Sequence, residues 1–101
     1  MYCIYNILFQ PQFTICVYRQ SEDKHVSGSI LSMGIWEKEV SKIIKMLLNK
    51  YVDKTTLFLD IGANLGIHGL YAAKLGFRVW AVEPQESNLL KVGFLAICSL
   101  N

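Results

Sequence analysis

The chain has 101 residues, a formal net charge of +2 and a mean hydropathy of +0.32. This length allows one domain at most, and the weak, scattered positive charge argues against nucleic acid as a partner. The apolar fraction of 52% is high for such a short chain, which indicates strands buried on both faces or a piece of a larger protein. No apolar run is long enough to span a bilayer, and no secretory leader is evident.

The cysteines give an indication of the redox environment. The three of them, Cys3, Cys16 and Cys98, all lie in apolar runs, and no two have the spacing of metal ligands. An odd number without a disulfide framework favours reduced, buried thiols in a reducing compartment. We therefore expect a cytoplasmic protein without a metal site.

Two strands are predicted near the N-terminus. Residues 2–9 and 13–18 are apolar or alternate between apolar and polar side chains, and a turn is expected at 10–12. A polar loop follows at 20–24, and then a short turn or helical piece over 25–33. We assign residues 1–34 to N-terminal strands and a lead-in, and residues 35–101 to the N-terminal half of an α/β domain.

A long amphipathic helix is predicted over residues 35–51. Its apolar residues recur at steps of three and four, which gives one wide stripe that we expect to cover a sheet. The stripe consists of Trp36, Val40, Ile43, Ile44, Leu47, Leu48 and Tyr51.

The second half of the chain alternates strands with helices. Strands are predicted at 57–61 and 77–82, and helices at about 65–75 and 86–97. The strands should be parallel neighbours joined by a right-handed crossover, with both faces covered, so that Trp80 lies in the core. Gly69 within a helix costs about 1 kcal/mol relative to Ala, and a close helix-to-strand approach would explain it.

A glycine loop follows the first of these strands. Gly62 allows a sharp turn in which a ligand can approach the backbone, and Gly66 lets the next helix pack closely. Asp60 ends the strand and could accept hydrogen bonds from a cationic amine or from loop N–H groups. Glu83 follows Gly62 by 21 positions and ends the neighbouring strand, where a carboxylate can accept both hydroxyls of a ribose. The pattern predicts a site for a nucleoside-bearing cofactor.

Three cofactor classes compete for this loop. A P-loop is excluded because no Gly-Lys-Ser/Thr closes it. A dinucleotide fold requires Gly-x-Gly-x-x-Gly, whereas Asn64 occupies the second glycine position here. Asp60 before the first glycine suits a ligand with an amino group and a sulfonium, which favours S-adenosylmethionine. The alternative without a ligand is a tight strand-to-helix turn with Glu83 as an ordinary surface carboxylate.

These residues also carry a resemblance to a known family. Residues 58–66 (Phe-Leu-Asp-Ile-Gly-Ala-Asn-Leu-Gly) and 79–84 (Val-Trp-Ala-Val-Glu-Pro) resemble motifs of FkbM-type class I methyltransferases. The resemblance covers about residues 20–92. It implies a partial Rossmann-like fold and S-adenosylmethionine as the cofactor. The residues carried over as cofactor-binding are Asp60, Gly62, Ala63, Asn64, Gly66 and Glu83.

The resemblance also implies what the chain does not contain. A class I methyltransferase sheet has about seven strands, so the adenine and acceptor contacts would belong to further strands. We therefore expect a truncated chain, inactive alone, taken from an enzyme that methylates a small-molecule or saccharide hydroxyl. His68 replaces the family's usual aromatic, and Gly69 replaces a small hydroxyl residue.

No catalytic residue is identified from the sequence. His25 and His68 are expected in a loop and on a helix surface, because neither has an evident partner acid. Two rival functions remain open: a non-catalytic module that only packs against partners, and a dinucleotide-dependent oxidoreductase.

Overall fold

The computed structural model describes residues 2–6, 12–50, 53 and 55–99. These residues contain four strands and four helices. In chain order they are β1 (Tyr2–Asn6), β2 (Phe13–Val17), α1 (Val26–Met33), α2 (Lys38–Lys50), β3 (Leu57–Ile61), α3 (Ile67–Lys74), β4 (Arg78–Val82) and α4 (Glu86–Ser99). The predicted turn at 10–12, apart from Gln12, and Tyr51 of the predicted helix lie outside the described residues.

The strands form two separate pairs. β1 and β2 are antiparallel, whereas β3 and β4 are parallel and in register from Leu57 opposite Arg78 to Ile61 opposite Val82. The coarse expectation of an α/β fold with a parallel pair of strands is confirmed. The bounds of β3 match the prediction, and the long helix is shorter at its N-terminal end than the apolar stripe suggested.

The core is centred on β2 rather than on the parallel pair. Ile15 and Val17 are fully buried, and α1, α3 and α4 all contact this strand. Tyr71 of α3 is buried against Phe13, and its hydroxyl is 2.9 Å from Asn49 Nδ2 of α2. The N-terminal hairpin is therefore an integral part of the hydrophobic core.

The expectation of reduced thiols is wrong for two of the cysteines. Cys3 and Cys16 face each other across the β1–β2 ladder and form a disulfide. Directly opposed positions of an antiparallel pair bring side chains close together. Because the strand register decides this contact, spacing along the sequence could not reveal it.

One face of the parallel pair is open, which contradicts the expectation that both faces are covered. Phe58 and Val79 pack towards the core beneath α3, but Leu59 is 52% exposed and Trp80, expected in the core, is 67% exposed. Among the described residues no element covers this face. Alternation along β3 and β4 places every second side chain on the uncovered side.

The apolar stripe of α2 is also less buried than its periodicity predicts. Leu48 is buried and Ile44 packs against the core, whereas Ile43 is 54% exposed. The helix is amphipathic as predicted, but only part of its apolar stripe finds a partner among the described residues.

Two glycines permit close packing around α3, as the sequence predicts. A Cβ on Gly69 would lie 3.2 Å from both Asp60 Oδ2 and Val79 Cγ1, so the helix approaches the parallel strands there. A Cβ on Gly66 would lie 2.9 Å from Val92 Cγ2, where α4 crosses the start of α3. Both positions confirm close approaches that a larger residue would obstruct.

A buried serine connects the end of β2 to α1. The Ser27 hydroxyl accepts the Tyr18 N–H (3.0 Å) and donates to Asp23 Oδ2 (2.8 Å), while the same carboxylate oxygen accepts the Ser27 N–H (2.8 Å). Burial opposes ionisation of Asp23, but these hydrogen bonds outweigh it and lower the pKa of that carboxyl. Asp23 thus caps the free N–H groups at the start of α1.

We expect Ser27→Ala to lower the free energy of unfolding by about 1–3 kcal/mol, because a buried N–H and a carboxylate each lose a partner. Ser32→Ala is the matched control, since Ser32 is exposed on the same helix and should change stability by less than about 0.5 kcal/mol. Urea unfolding measures both variants, and equal effects would contradict the role assigned to Ser27.

Candidate functional site

The glycine loop lies at the carboxyl end of the parallel pair. The Gly62 and Ala63 N–H groups both donate to the Val82 carbonyl oxygen, at 2.8 and 3.1 Å, which ties the loop to the end of β4. Gly62 has a φ of +74°, and a Cβ built there would meet no atom of the described residues within 4 Å. The loop therefore presents bare backbone to open space, as a ligand-binding corner requires.

Glu83 reaches this loop from the end of β4. Its Oε2 accepts the Asn64 N–H, and its Oε1 accepts the Gln85 N–H at 3.0 Å. Asn64 takes a left-handed conformation with a φ of +55°. Glu83 thus braces the loop, and because each carboxylate oxygen has two lone pairs, capacity for further hydroxyl donors remains. Its predicted contact with a ribose stays a prediction.

Asp60 lies beneath α3 rather than in the open corner. It is half-buried, and its Oδ2 accepts the Gly69 N–H at 3.2 Å. Burial raises the pKa of Asp60; the nearby His68 and the Gly69 N–H oppose this shift, and the charge of Glu83 adds to it. A carboxyl group whose pKa is shifted by burial and by nearby charges is typical of functional sites as well as of structural networks.

The six predicted residues do not all occupy one surface. Gly62, Asn64 and Glu83 meet at the corner, while Ala63 and Gly66 are buried behind the loop. Gly66 acts through its packing against Val92. The structure therefore brings half of the predicted set to the open corner and uses the others to support it.

His68 lies beside the candidate site, although the sequence pattern predicts a helix-surface position for it. Its side chain is only 14% exposed, and its Nε2 lies 3.8 Å from Glu37 Oε1, so the expected surface position is wrong. The buried Nε2 has no hydrogen-bond partner among the described residues. The available signal was that His68 departs from the pattern of the family that the sequence resembles. The neighbouring Glu37 lies within the predicted start of the long helix, where an acidic residue is expected for the helix dipole and indicates no site.

Two cavities flank Asn64. The smaller cavity, about 100 Å³, lies between the residues just before α2 and the glycine loop. Its lining includes Trp36, Glu37, Gly62 and His68. The larger, about 450 Å³, lies towards α4 and is lined by Glu22, Gln85 and Asn88 among others. In both cavities, none of the described lining residues is Lys or Arg.

No protein-family model, curated protein or solved structure matches this sequence. In the described ranges, no group of three His, Cys, Asp or Glu side chains is placed to hold a metal ion. Within the part of the chain that the structure describes, no helix combines the length and apolar character needed to cross a membrane.

Asp60→Asn tests the buried carboxyl. Because the folded-state pKa of Asp60 lies above its ordinary value of 3.8, the unfolded chain releases this proton first as pH rises. The contribution of Asp60 to stability is therefore complete below that value and is lost as pH rises through the folded-state pKa. Asn cannot ionise and keeps an oxygen for the Gly69 N–H.

We expect Asp60→Asn to gain stability relative to the wild type as the pH is raised from about 3 to about 7. Denaturant unfolding at several pH values measures this difference. An identical pH dependence in the two proteins would show that the Asp60 carboxyl is not perturbed.

The two loop glycines should differ in what alanine costs. Both have positive φ, so Gly62→Ala and Gly66→Ala each carry a backbone cost of about 1–2 kcal/mol. Gly66→Ala also forces its Cβ against Val92, so we expect the lower melting temperature for this variant. Thermal unfolding gives the melting temperatures of both variants. A lower melting temperature for Gly62→Ala than for Gly66→Ala would contradict the close packing of Gly66 against Val92.

Proposed function

We propose that the chain is the cofactor-binding part of an S-adenosylmethionine-dependent methyltransferase of the FkbM type, with a Rossmann-like fold. The observation that carries this proposal is the bare corner at Gly62, which faces open space at the end of two parallel strands with Glu83 beside it. Ligands of α/β sheets bind at this end of the strands.

The charges around the corner support a cationic cofactor. Glu83 lies beside the corner, Glu37 lines the smaller cavity, and no described residue that lines this cavity is Lys or Arg. The larger cavity has Lys91 beside it, with Nζ 3.5 Å from the centroid of the Tyr18 ring. Phosphate groups need N–H donors or cations and would be repelled by carboxylates. The acidic charge at the corner therefore disfavours the nicotinamide dinucleotide of the rival oxidoreductase. The same charge attracts a sulfonium and an ammonium group.

S-adenosylmethionine supplies an activated methyl group on a sulfonium, so transfer depends mainly on alignment with the acceptor. In this proposal Gly62 gives the ligand room to approach the backbone, and Asn64 forms the adjoining wall. Glu83 accepts the ribose hydroxyls with the lone pairs that the loop leaves free. No described residue is assigned as the catalytic base.

The open face of β3 and β4 supports a larger domain. Ile61, Trp80 and Val82 are each more than half exposed, and exposed apolar patches mark interaction surfaces. In the proposed enzyme, further strands and helices cover this face and bring the acceptor site. The acceptor is a small-molecule or saccharide hydroxyl, and the chain alone is inactive.

The same open face also favours the rival function, a non-catalytic packing module. Cofactor binding separates the two, because a module that only packs against partners has no need of an occupied glycine corner. We expect S-adenosylhomocysteine to bind the full-length protein in a calorimetric titration, and NAD not to bind. Absence of binding at millimolar S-adenosylhomocysteine, or a preference for NAD, would overturn the proposal.

Glu83→Ala should weaken S-adenosylhomocysteine binding by about 1–3 kcal/mol through lost hydrogen bonds. Glu86→Ala is the matched control, since Glu86 is exposed in the first turn of α4. Melting temperatures are measured alongside, because Glu83 also braces the loop. Equal affinities for the wild type and Glu83→Ala would place the ribose contact elsewhere.

A further inference from the structure

The geometry points to the small cavity beside the glycine loop as a binding site for a primary ammonium group, held by Glu37 and His68. The cavity lies between the lead-in to α2 and the corner at Gly62. Its volume of about 100 Å³ equals that of about three water molecules, which suits an ammonium head with one or two carbons.

Two of the polar side chains that line the cavity are spaced to accept from one donor. Glu37 Oε1 and His68 Nε2 are 3.8 Å apart, too far for a hydrogen bond between them. A single ammonium nitrogen placed between them can donate to both at ordinary length. This arrangement uses His68 in its neutral form, with the ring proton on Nδ1.

The unpartnered imidazole nitrogen is the second observation that indicates a ligand. His68 Nε2 is buried without a hydrogen-bond partner among the described residues, a state that costs free energy. Glu37 is partly exposed, so its carboxylate is accessible to an entering cation. The ligand thus meets Glu37 first and satisfies His68 as it moves inward.

The remaining lining favours a cation over a neutral donor. Trp36 lines the same cavity, and aromatic faces attract ammonium groups. Asp60 lies close enough for its charge to interact with His68, which makes the surroundings more negative. None of the described residues lining this cavity carries a positive side chain other than His68 when protonated.

Glu37 is held in an unusual backbone conformation. Its φ of +54° is uncommon for a residue other than glycine, and its carbonyl oxygen accepts the Ser41 N–H at 2.8 Å. The Ser41 hydroxyl also donates to the Trp36 carbonyl oxygen at 2.9 Å. The start of α2 thus fixes the backbone from which the Glu37 carboxylate projects.

The source of the ammonium is the part of this inference that rests on the proposed function. If the chain binds S-adenosylmethionine, the group is the α-ammonium of its methionine end. If it does not, the group belongs to a free alkylamine. The experiment therefore uses n-butylammonium, S-adenosylhomocysteine and methylthioadenosine, which has the nucleoside but no amino-acid end.

We expect Glu37→Gln to weaken binding of n-butylammonium and of S-adenosylhomocysteine by about tenfold or more, because a charge-assisted hydrogen bond is lost. Methylthioadenosine should bind Glu37→Gln and the wild type equally. Glu39→Gln is the matched control, since Glu39 is exposed and, among the described residues, pairs with Lys42 at 3.8 Å. Calorimetry measures the affinities, and melting temperatures confirm that each variant folds.

The outcomes separate the two proposals. Binding of n-butylammonium that depends on Glu37, without binding of S-adenosylhomocysteine, supports the ammonium site and overturns the proposed function. Binding of S-adenosylhomocysteine that is unchanged in Glu37→Gln overturns the ammonium site alone. Equal binding of n-butanol and n-butylammonium to the wild type would also overturn it.

Discussion

The carboxylate of Glu83 determines the shape of the candidate site. It accepts one N–H from the glycine loop and one from the residue that precedes α4, so a single side chain couples the ends of two parallel strands. The Val82 carbonyl oxygen adds two hydrogen bonds from the loop. Without these bonds the loop N–H groups would lack partners, and the left-handed conformation of Asn64 would lose its support.

The acidic character of this region has an energetic consequence. Asp60 is kept half-buried beneath α3 although burial raises its pKa, so its ionised form opposes folding. His68 is similarly buried, and its Nε2 has no hydrogen-bond partner in the part of the chain that the structure describes. Buried, perturbed groups of this kind cluster at functional sites and also occur in structural networks. The concentration of these features around one loop is the physical reason to place a binding site there.

The apolar surfaces show where the stability of the chain comes from and where it does not. The buried core lies around β2, α1 and α3, and the Cys3–Cys16 disulfide links the two strands of the N-terminal pair. The open face of the parallel pair contributes little burial, since Trp80 and Ile61 are mostly exposed. The parallel pair, whose carboxyl ends carry the candidate site, is therefore less completely packed than β2.

The sequence by itself determined the local elements and the corner. The largely apolar residues 57–61 predict a strand, and the glycine at 62 predicts a sharp turn after it. The acid at 83 then follows the next strand. These predictions succeed because neighbouring residues specify backbone conformation and strand direction. Tertiary structure decided the rest. The burial of His68 beside Glu37, the pairing of Cys3 with Cys16 and the exposure of Trp80 depend on which elements meet in space. Periodicity gives the face on which a side chain lies, but only packing shows whether anything covers that face.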